Sequence, residues 1–252
     1  MATIYDRADI YDLGFDQRKK QIIKEHWEII LKDTNVKSIL DCSIGTGNLT
    51  LPLAELGYEL SGSDLSKQML KRCEAKAKEA NLQVTLFQAD FREIDQTAPH
   101  SYDLVMSTGN SLPYVSNQEV LETLHKMDSI VNEKGYLYLD TRNWDRILKE
   151  HQKFYFTNPT MVDDVRIDSS QYWEYDPDGS ITFNIVYSFE RNMKVLQREI
   201  FEEKYNPIKR ELILNELSGM GYSIRVLANM PIQCSAPLDE FDWFCVLAQK
   251  KE

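Results

Sequence analysis

The sequence lacks the features that mark secreted, membrane-spanning or zinc-binding proteins. Four cysteines, Cys42, Cys73, Cys234 and Cys245, are scattered along 252 residues with neither zinc-ligand spacing nor a Cys-x-x-Cys pair, so free thiols in a reducing compartment are predicted. No apolar run is long enough to cross a bilayer, and the first residues lack the apolar core of a signal peptide. We therefore expect a cytoplasmic protein with no membrane partner.

Basic residues are also fewer than acidic ones, and this limits the kinds of molecule that the protein can bind. The chain carries 29 Lys and Arg against 40 Asp and Glu, a formal net charge of −11. Nucleic acid would repel such a protein at long range and is excluded as the principal partner, so a small molecule is expected. The 42% of apolar residues is typical of globular proteins, and the length fits one large domain, which we expect to span residues 1–252.

Short apolar runs alternate with amphipathic segments over the first 150 residues. This alternation predicts an α/β fold, a doubly wound and mostly parallel seven-stranded sheet with right-handed crossovers. A helix is expected from an N-cap at Ser66 to about Ala80, and another over residues 117–131. The first five strands are predicted to end at Asp41, Asp64, Gln88, Met106 and Asp140.

The regions outside this alternation have patterns of their own. Residues 1–33 are expected to form an arm and an amphipathic helix ahead of the first strand. Residues 150–206 contain alternating strand-like runs and a turn signal, which predicts an inserted antiparallel cap over the carboxyl end of the sheet. A helix over 207–218 with proline near its first turn, and strands over 222–227 and 241–248, then complete the sheet, with an antiparallel strand at its edge.

A glycine loop follows the first strand, and it indicates a nucleotide-like ligand. Gly45 and Gly47 come just after Asp41 and open a helix, so main-chain N–H groups can approach a ligand at the carboxyl end of the sheet. A dinucleotide site would need a third glycine where Thr50 stands. A nucleoside therefore fits better, and Asp41, Gly45 and Gly47 are expected to belong to its binding site.

Two further acidic residues stand at the ends of the next two strands. Asp64 is placed to accept hydrogen bonds from both hydroxyls of a ribose, and Asp90 from the exocyclic amine of an adenine. Leu65 and Phe91 come next in the chain and are placed to sandwich the ring. Each aspartate alone fits a loop or N-cap carboxylate equally well, but acidic residues at successive strand ends beside a glycine loop favour a site.

On these residues the chain resembles, over nearly its whole length, the class I methyltransferases that use S-adenosylmethionine. The resemblance implies S-adenosylmethionine as the methyl donor, S-adenosylhomocysteine as the product, and no metal. In that class the loop usually has three alternating glycines, and here Ser43 replaces the first. A small side chain at this position is expected to permit the turn and to contact the donor.

Two later motifs resemble the glycine and sarcosine N-methyltransferases. They are Thr-Gly-Asn-Ser at 108–111, after the fourth strand, and Asp-Thr-Arg-Asn-Trp-Asp-Arg-Ile at 140–147, after the fifth. The resemblance implies that Asn110 contacts the substrate amine, that Arg142 pairs with its carboxylate, and that Thr108 belongs to the donor site. A planar guanidinium suits a carboxylate because it binds both oxygens.

Other interpretations of these residues remain open. Arg142 could instead form a salt bridge with Asp140 or Asp145, and Asn110 could simply form a turn. The resemblance also matches four more positions, more loosely, since a tyrosine in a strand usually belongs to the core. They are Arg18 for the donor carboxylate and the pocket tyrosines Tyr11, Tyr187 and Tyr205.

The expected reaction is methyl transfer to the nitrogen of a small amino acid, with glycine or sarcosine the best match. No histidine stands in a motif position, so the substrate ammonium is expected to lose its proton to solvent or to a tyrosine–water network. One alternative is another small acceptor, namely an amino sugar, a polyamine or a phenolic metabolite. Catechol-type metal chemistry is disfavoured because Thr141, rather than asparagine, follows Asp140. Another alternative is a module that binds the donor without catalysis.

Overall fold

The computed structural model describes residues 3–228 and 237–251, so the predicted free thiol of Cys234 lies outside the described residues. Within these ranges the helices are α1 (Ala8–Tyr11), α2 (Gln17–Leu31), α3 (Leu51–Glu55), α4 (Lys67–Glu79), α5 (Ile94–Thr97), α6 (Asn117–Ser129), α7 (Trp144–Glu150) and α8 (Arg210–Gly219). The strands are β1 (Ser38–Asp41), β2 (Glu59–Asp64), β3 (Val84–Gln88), β4 (Tyr102–Ser107), β5 (Val131–Arg142), β6 (Phe154–Phe156), β7 (Thr160–Val162), β8 (Val165–Tyr175), β9 (Ile181–Arg191), β10 (Lys194–Tyr205), β11 (Tyr222–Ala228) and β12 (Trp243–Lys250).

Seven of these strands form the central sheet that the alternating pattern predicts. Their order is β11-β12-β5-β4-β1-β2-β3, with parallel pairing from β5 through β3. The order changes direction at β1, where crossovers lead to β2 on one side and later to β4 on the other. In open α/β sheets, ligands bind at this point, outside the carboxyl ends of the strands. The antiparallel strand is β12, which pairs with both β5 and β11 and therefore lies one position in from the edge.

The helices form where an N-capping residue is followed by apolar residues that repeat on one helix face. Ser66 caps α4 by accepting a hydrogen bond from Met69 N, and the helix buries Met69, Cys73 and Ala77, which repeat every four residues on one face. Ser116 and Glu119 form a reciprocal capping box at the start of α6. The expected helix starts after Ser66 and at Asn117 are thus confirmed.

Several element boundaries differ from the sequence expectations, among them the ends of β5 at Arg142 and of β12 at Lys250. The last helix begins at Arg210 rather than at Pro207, because Lys209 has the extended backbone of an N-cap. The helix after β4 stops at Ser129, and β5 begins at Val131 rather than at Gly135, so this strand is longer than its apolar run. The helix after the glycine loop covers only Leu51–Glu55.

Residues 154–205 form the second, antiparallel sheet, in the order β10-β9-β8-β6, with β7 pairing separately with β8. One end of β10 contacts the arm that precedes α2: Ile4 N donates to the buried carboxylate of Glu203 over 2.9 Å. The other end of the arm is fixed by Asp12, which accepts from Thr46 Oγ1 over 2.6 Å. The arm therefore spans from the second sheet to the glycine loop, across the carboxyl ends of the central strands.

The cysteines Cys42, Cys73 and Cys245 are buried and free, as expected for thiols without partners. Burial raises the pKa of each thiol, so they are poor nucleophiles at neutral pH. None of the helices within the described ranges combines the length and the apolar character needed to cross a bilayer.

Candidate active site

The glycine loop is held in place by the buried carboxylate of Asp41. One oxygen accepts from Ser43 N over 3.0 Å, and the other accepts from Thr108 Oγ1 over 2.8 Å. Burial raises the pKa of Asp41 to about 6. Asp41 and Thr108 therefore lie beneath the loop and join the ends of β1 and β4, although their positions in the sequence predict that both belong to the donor site. Ser43 Oγ completes this junction by accepting from Thr108 N over 3.0 Å.

The two glycines of the loop have different structural roles. Both have positive φ angles, +55° at Gly45 and +79° at Gly47, which favour glycine. A Cβ atom on Gly47 would lie 2.6 Å from Leu51 Cγ and 2.7 Å from Cys73 Sγ, so this position requires glycine for packing. A Cβ atom on Gly45 would meet nothing within 4 Å. Gly45 thus leaves open space, as a loop that must receive a ligand does.

A cavity of about 910 Å³ lies at the tips of β1, β2 and β3, and we call it the strand-tip cavity. Among the residues that line it are five of the residues that the sequence assigns to the nucleoside. They are Ser43, Asp64, Leu65, Asp90 and Phe91. The fold brings these five positions to one concave surface, although they come from three separate strand ends.

The carboxylate of Asp64 is fixed in orientation by two main-chain donors. Its Oδ2 accepts from Gly45 N over 2.9 Å, and its Oδ1 accepts from Ser66 N over 2.8 Å. Burial raises its pKa. Each oxygen has a second lone pair, which suits a vicinal diol such as a ribose.

Asp90 has a charged neighbour, Arg92, that the sequence motifs do not indicate. Its carboxylate forms an ion pair with Arg92, whose Nη2 lies 2.6 Å from Asp90 Oδ2 and whose Nη1 lies 2.8 Å from Glu119. This guanidinium lowers the pKa of Asp90. Arg92 also lines the strand-tip cavity, so an adenine amine would share Asp90 with it. The sequence feature that could have indicated this ion pair is the position of Arg92, two residues after the aspartate at the end of β3.

A second cavity, of about 390 Å³, lies between the arm and the tips of β4 and β5, and we call it the arm cavity. Its lining includes Tyr11, Lys19, Gly109, Asp140 and Trp243. Arg18 is exposed on the first turn of α2 and is not among the residues that line either cavity. The structure therefore places the neighbouring Lys19, rather than Arg18, beside the site, because the helix turns Arg18 outward.

The loop after β4 is joined to the end of β5 by side-chain hydrogen bonds. Gly109 N donates to Asp140 Oδ1 over 2.7 Å. The carboxamide oxygen of Asn110 accepts from Thr141 Oγ1 over 2.8 Å and from Arg142 N over 3.0 Å. Asn110 also has a positive φ of 63°, so it does form the turn that the alternative interpretation expected. Its amide nitrogen makes no hydrogen bond to the part of the chain that the structure describes.

Arg142 is the most unusual residue of the site. Its side chain is buried, and its guanidinium carbon lies 5.0 to 5.3 Å from the centres of four aromatic rings. Those rings belong to Tyr155, Trp173, Phe183 and Trp243. Within residues 3–228 and 237–251 the guanidinium has neither an ion pair nor a hydrogen bond, and burial lowers its pKa.

The salt-bridge interpretation of Arg142 is therefore wrong. Asp140 accepts from Gly109 N, and Asp145 accepts from Arg210 N over 2.9 Å at the start of α8. An unpaired guanidinium costs free energy when buried, and aromatic rings compensate only in part. A buried cation with unused planar donors is suited to a planar anion such as a carboxylate.

The tyrosines named by the resemblance lie together, with two that it did not name. Tyr205 is buried, and its hydroxyl lies 2.6 Å from that of Tyr114, which accepts from Tyr5 over 2.8 Å. Tyr11 packs near Tyr5, with ring centres 6.0 Å apart. Tyr187 on β9 is half-buried and packs against Phe201. Tyr114 follows the 108–111 motif by three residues, which was the signal for it.

Burial raises the pKa of Tyr205 to about 12. It also raises the pKa of Tyr11 and of Tyr187 above the usual value. Their hydroxyls are therefore neutral at physiological pH and act as hydrogen-bond donors and acceptors. A tyrosinate base, which a tyrosine–water network would need, is disfavoured by the same burial.

The two cavities suit a nucleoside and a small polar molecule. The carboxylates and the apolar side chains at the tips of β2 and β3 fit a ribose and an adenine, as an S-adenosyl group requires. Within the described part of the chain, no group of three or more His, Cys, Asp and Glu side chains is arranged to hold a metal ion.

Comparisons with known proteins agree with this geometry. Residues 39–135 match the family described as a methyltransferase domain. A glycine/sarcosine N-methyltransferase of Aphanothece halophytica is 26% identical over 193 residues, which cover 76% of this chain and 68% of that protein. Other relatives named for glycine and sarcosine methylation are matched over only 32% to 44% of their own length.

Solved structures show the same fold over the whole chain. An S-adenosylmethionine-dependent methyltransferase from Clostridium acetobutylicum superimposes with a TM-score of 0.75 at 18% identity, covering 98% of both chains. An amino pentose methyltransferase from Micromonospora echinaspora gives a TM-score of 0.71 at 11% identity, covering 100% of this chain and 98% of the other. The chain therefore contains a methyltransferase domain and has the fold of the class I S-adenosylmethionine-dependent methyltransferases, and in sequence it resembles the glycine and sarcosine N-methyltransferases.

Proposed function

We propose that the protein transfers a methyl group to the nitrogen of a small amine that also carries a carboxylate, with glycine and sarcosine the best-matched acceptors. The single observation that carries this proposal is the guanidinium of Arg142, which is buried among aromatic rings without an anionic partner in the described residues. A carboxylate is the group that such a cation binds best, and it would be held by two parallel hydrogen bonds.

The bound donor supplies an electrophilic methyl group on its sulfonium, and the protein's contribution is to position the acceptor against it. Asp64 and the loop containing Gly45 hold the nucleoside at the strand tips, while Arg142 fixes the acceptor by its carboxylate. The proposed position of the amine is beside Asn110, whose amide nitrogen is free to contact it. Correct placement of two reactants can supply roughly 7–11 kcal/mol of the barrier.

The surrounding tyrosines support an enclosed acceptor site. Tyr205, Tyr114 and Tyr5 form a hydrogen-bonded row at the end of β10, and Tyr11 lines the arm cavity. We assign them to shaping the site and excluding water, because their hydroxyls stay protonated. The acidic surface of the chain, at a net charge of −11, disfavours RNA or DNA as the acceptor.

The test is an assay with a methyl-labelled donor and a panel of acceptors, with mass detection of each product. The panel contains glycine, sarcosine, an amino sugar, a polyamine and a phenol. We expect methylation of the two amino acids at nitrogen. Methylation confined to acceptors without a carboxylate would contradict the proposal and favour the alternative acceptors, whereas tight donor binding with no turnover on any acceptor would favour a binding module.

A further inference from the structure

Asp140 and Arg142 present opposite charges on the same face of one strand. They are two residues apart on β5, so their side chains point to the same side, with Cα atoms about 7 Å apart. The partner strand confirms the alignment, because Cys245 lies opposite Asp140 and Trp243 opposite Arg142. Asp140 and Arg142 nevertheless form no ion pair with each other.

The carboxylate of Asp140 is buried and faces a cavity. Only 4% of the residue is exposed, and it lines the arm cavity together with Trp243, the ring that touches the Arg142 guanidinium. Its Oδ1 accepts from Gly109 N. No cationic side chain of the described ranges forms an ion pair with it. A buried carboxylate without an ion-pair partner is stabilised by a ligand that carries a positive charge.

We propose that Asp140 binds the ammonium group of the acceptor and takes a proton from it, while Arg142 holds the carboxylate of the same molecule. This inference rests on the proposed function and adds the base that the sequence did not reveal. A zwitterion fits the pair because each of its charges meets the opposite charge on one face of β5. An amine without a carboxylate, or a carboxylate without an amine, would leave one buried charge uncompensated.

The proton balance of the step is complete. One N–H bond of the ammonium breaks, and its proton passes to a carboxylate oxygen of Asp140, which leaves a neutral amine with a lone pair. That lone pair forms the new bond to the methyl carbon as the carbon–sulfur bond breaks, and sulfur keeps the electron pair. The product is an N-methyl ammonium, and Asp140 then returns its proton to solvent.

The surroundings of Asp140 suit a base that works near neutrality. The pKa of Asp140 is raised to about 7, chiefly by burial and in part by the nearby charge of Asp41, although the N–H groups of Gly109 and Asn110 oppose the rise. An efficient base has a pKa near the working pH. The other titratable groups around it are Tyr138 on its own strand, Cys245 on β12, and Lys19 and Tyr11 across the arm cavity.

The first experiment measures binding rather than turnover. Glycine and acetate are titrated by calorimetry into the protein loaded with S-adenosylhomocysteine. Both ligands carry the carboxylate, but only glycine carries the ammonium. For Asp140→Asn, which keeps an oxygen to accept from Gly109 N, we expect glycine affinity to fall at least roughly tenfold, with acetate affinity within a factor of two. Asp103→Asn, at the opposite end of β4, is the matched control and is expected to bind both ligands normally.

The second experiment follows kcat at saturating glycine against pH. The wild-type profile should fall on the acid side with a midpoint near 7, since Asp140 must be ionised to accept a proton. Asp140→Asn should lose this limb and lower kcat by roughly 10²- to 10⁴-fold, the usual contribution of a general base. A third measurement needs only the wild-type protein: its affinity for glycine should weaken below pH 7, whereas its affinity for acetate should not. This comparison tests Asp140 even if the variant folds poorly.

Two results would overturn the inference. One is an Asp140→Asn variant that keeps the acid limb and the wild-type kcat. The other is a loss of affinity for S-adenosylhomocysteine with glycine binding unchanged, which would assign Asp140 to the donor's own amino group. Failure of the proposed function is a separate outcome, since the wild type would then methylate no amino acid at all.

Discussion

Replacing Arg142 with methionine separates its proposed role in binding from a role in folding. Methionine has an unbranched chain of similar length, so it can pack among the rings of Tyr155, Trp173, Phe183 and Trp243 that now surround the guanidinium. The change removes the charge and the planar donors while keeping most of the apolar contact. Binding of a carboxylate should be lost, and the cage itself should remain.

The size of the effect follows from the burial of the site. Removing one partner of a buried, hydrogen-bonded ion pair costs about 3–5 kcal/mol. At about 1.4 kcal/mol for each factor of ten, this lowers kcat/KM for glycine by roughly 150- to 5000-fold. Most of the loss should appear in KM, because Arg142 holds the carboxylate, which does not change during the reaction.

The stability of the ligand-free protein should change much less than its activity when Arg142 is replaced by methionine. Arg142 has no anionic partner in the described residues, so its removal leaves no unpaired acid behind and relieves the cost of a buried charge. The lost cation–π contacts, worth about 0.5–2 kcal/mol in total at such a site, offset part of this gain. We therefore expect the free energy of unfolding to change by less than about 1 kcal/mol.

The assays are initial rates over a glycine series and urea unfolding of the free protein. Arg142→Lys keeps the charge but loses the planar fork, and it should fall between wild type and Arg142→Met. Arg146→Met is the control, since Arg146 pairs with Glu150 and Asp242 at the surface. If Arg142→Met keeps kcat/KM within threefold of wild type while its unfolding midpoint drops sharply, Arg142 stabilises the fold and does not bind the carboxylate.

Three further predictions concern the donor site and the core. Gly47→Ala should destabilise the fold by about 2–4 kcal/mol in urea unfolding, since its Cβ atom would overlap two buried side chains at positive φ. Gly45→Ala should cost only about 1–2 kcal/mol but should lower the affinity for S-adenosylhomocysteine in calorimetry, and a cost equal to that at Gly47 would contradict these roles. Arg92→Ala should change that affinity less than Asp90→Ala does, and the reverse order would assign the adenine contact to Arg92. For His26, burial lowers the pKa to about 4, so stability present above about pH 6.5 is lost as the pH falls towards 4. His26→Gln should reduce this acid loss, and an unchanged pH dependence would show that His26 does not contribute to it.

The parts of the fold that local sequence dictates were predictable. Ser66 and Ser116 mark helix starts by capping, and the apolar runs before Asp64 and Asp90 mark the ends of β2 and β3. The convergence of strand-end residues on one cavity follows from parallel pairing alone, since the carboxyl ends of parallel strands meet at the same edge of the sheet.

The rest depends on contacts between residues far apart in the chain. The arm crosses the site because Ile4 N binds Glu203, almost 200 residues away, and no local pattern encodes that pairing. Arg18 matched a family position, but one residue along a helix rotates the side chain by about 100°, and this places Lys19 at the cavity. The aromatic cage around Arg142 likewise draws its rings from the second sheet and from β12, which the sequence does not place beside β5.

The most direct test of the account compares glycine with glycinamide as methyl acceptors. The two molecules share the amine, but glycinamide replaces the carboxylate with a neutral amide that cannot pair with Arg142. With a labelled donor we expect kcat/KM for glycine to exceed that for glycinamide by at least about 100-fold, the lower end of the loss of a buried ion pair. Equal rates for the two acceptors, or faster transfer to glycinamide, would contradict a site built to hold a carboxylate.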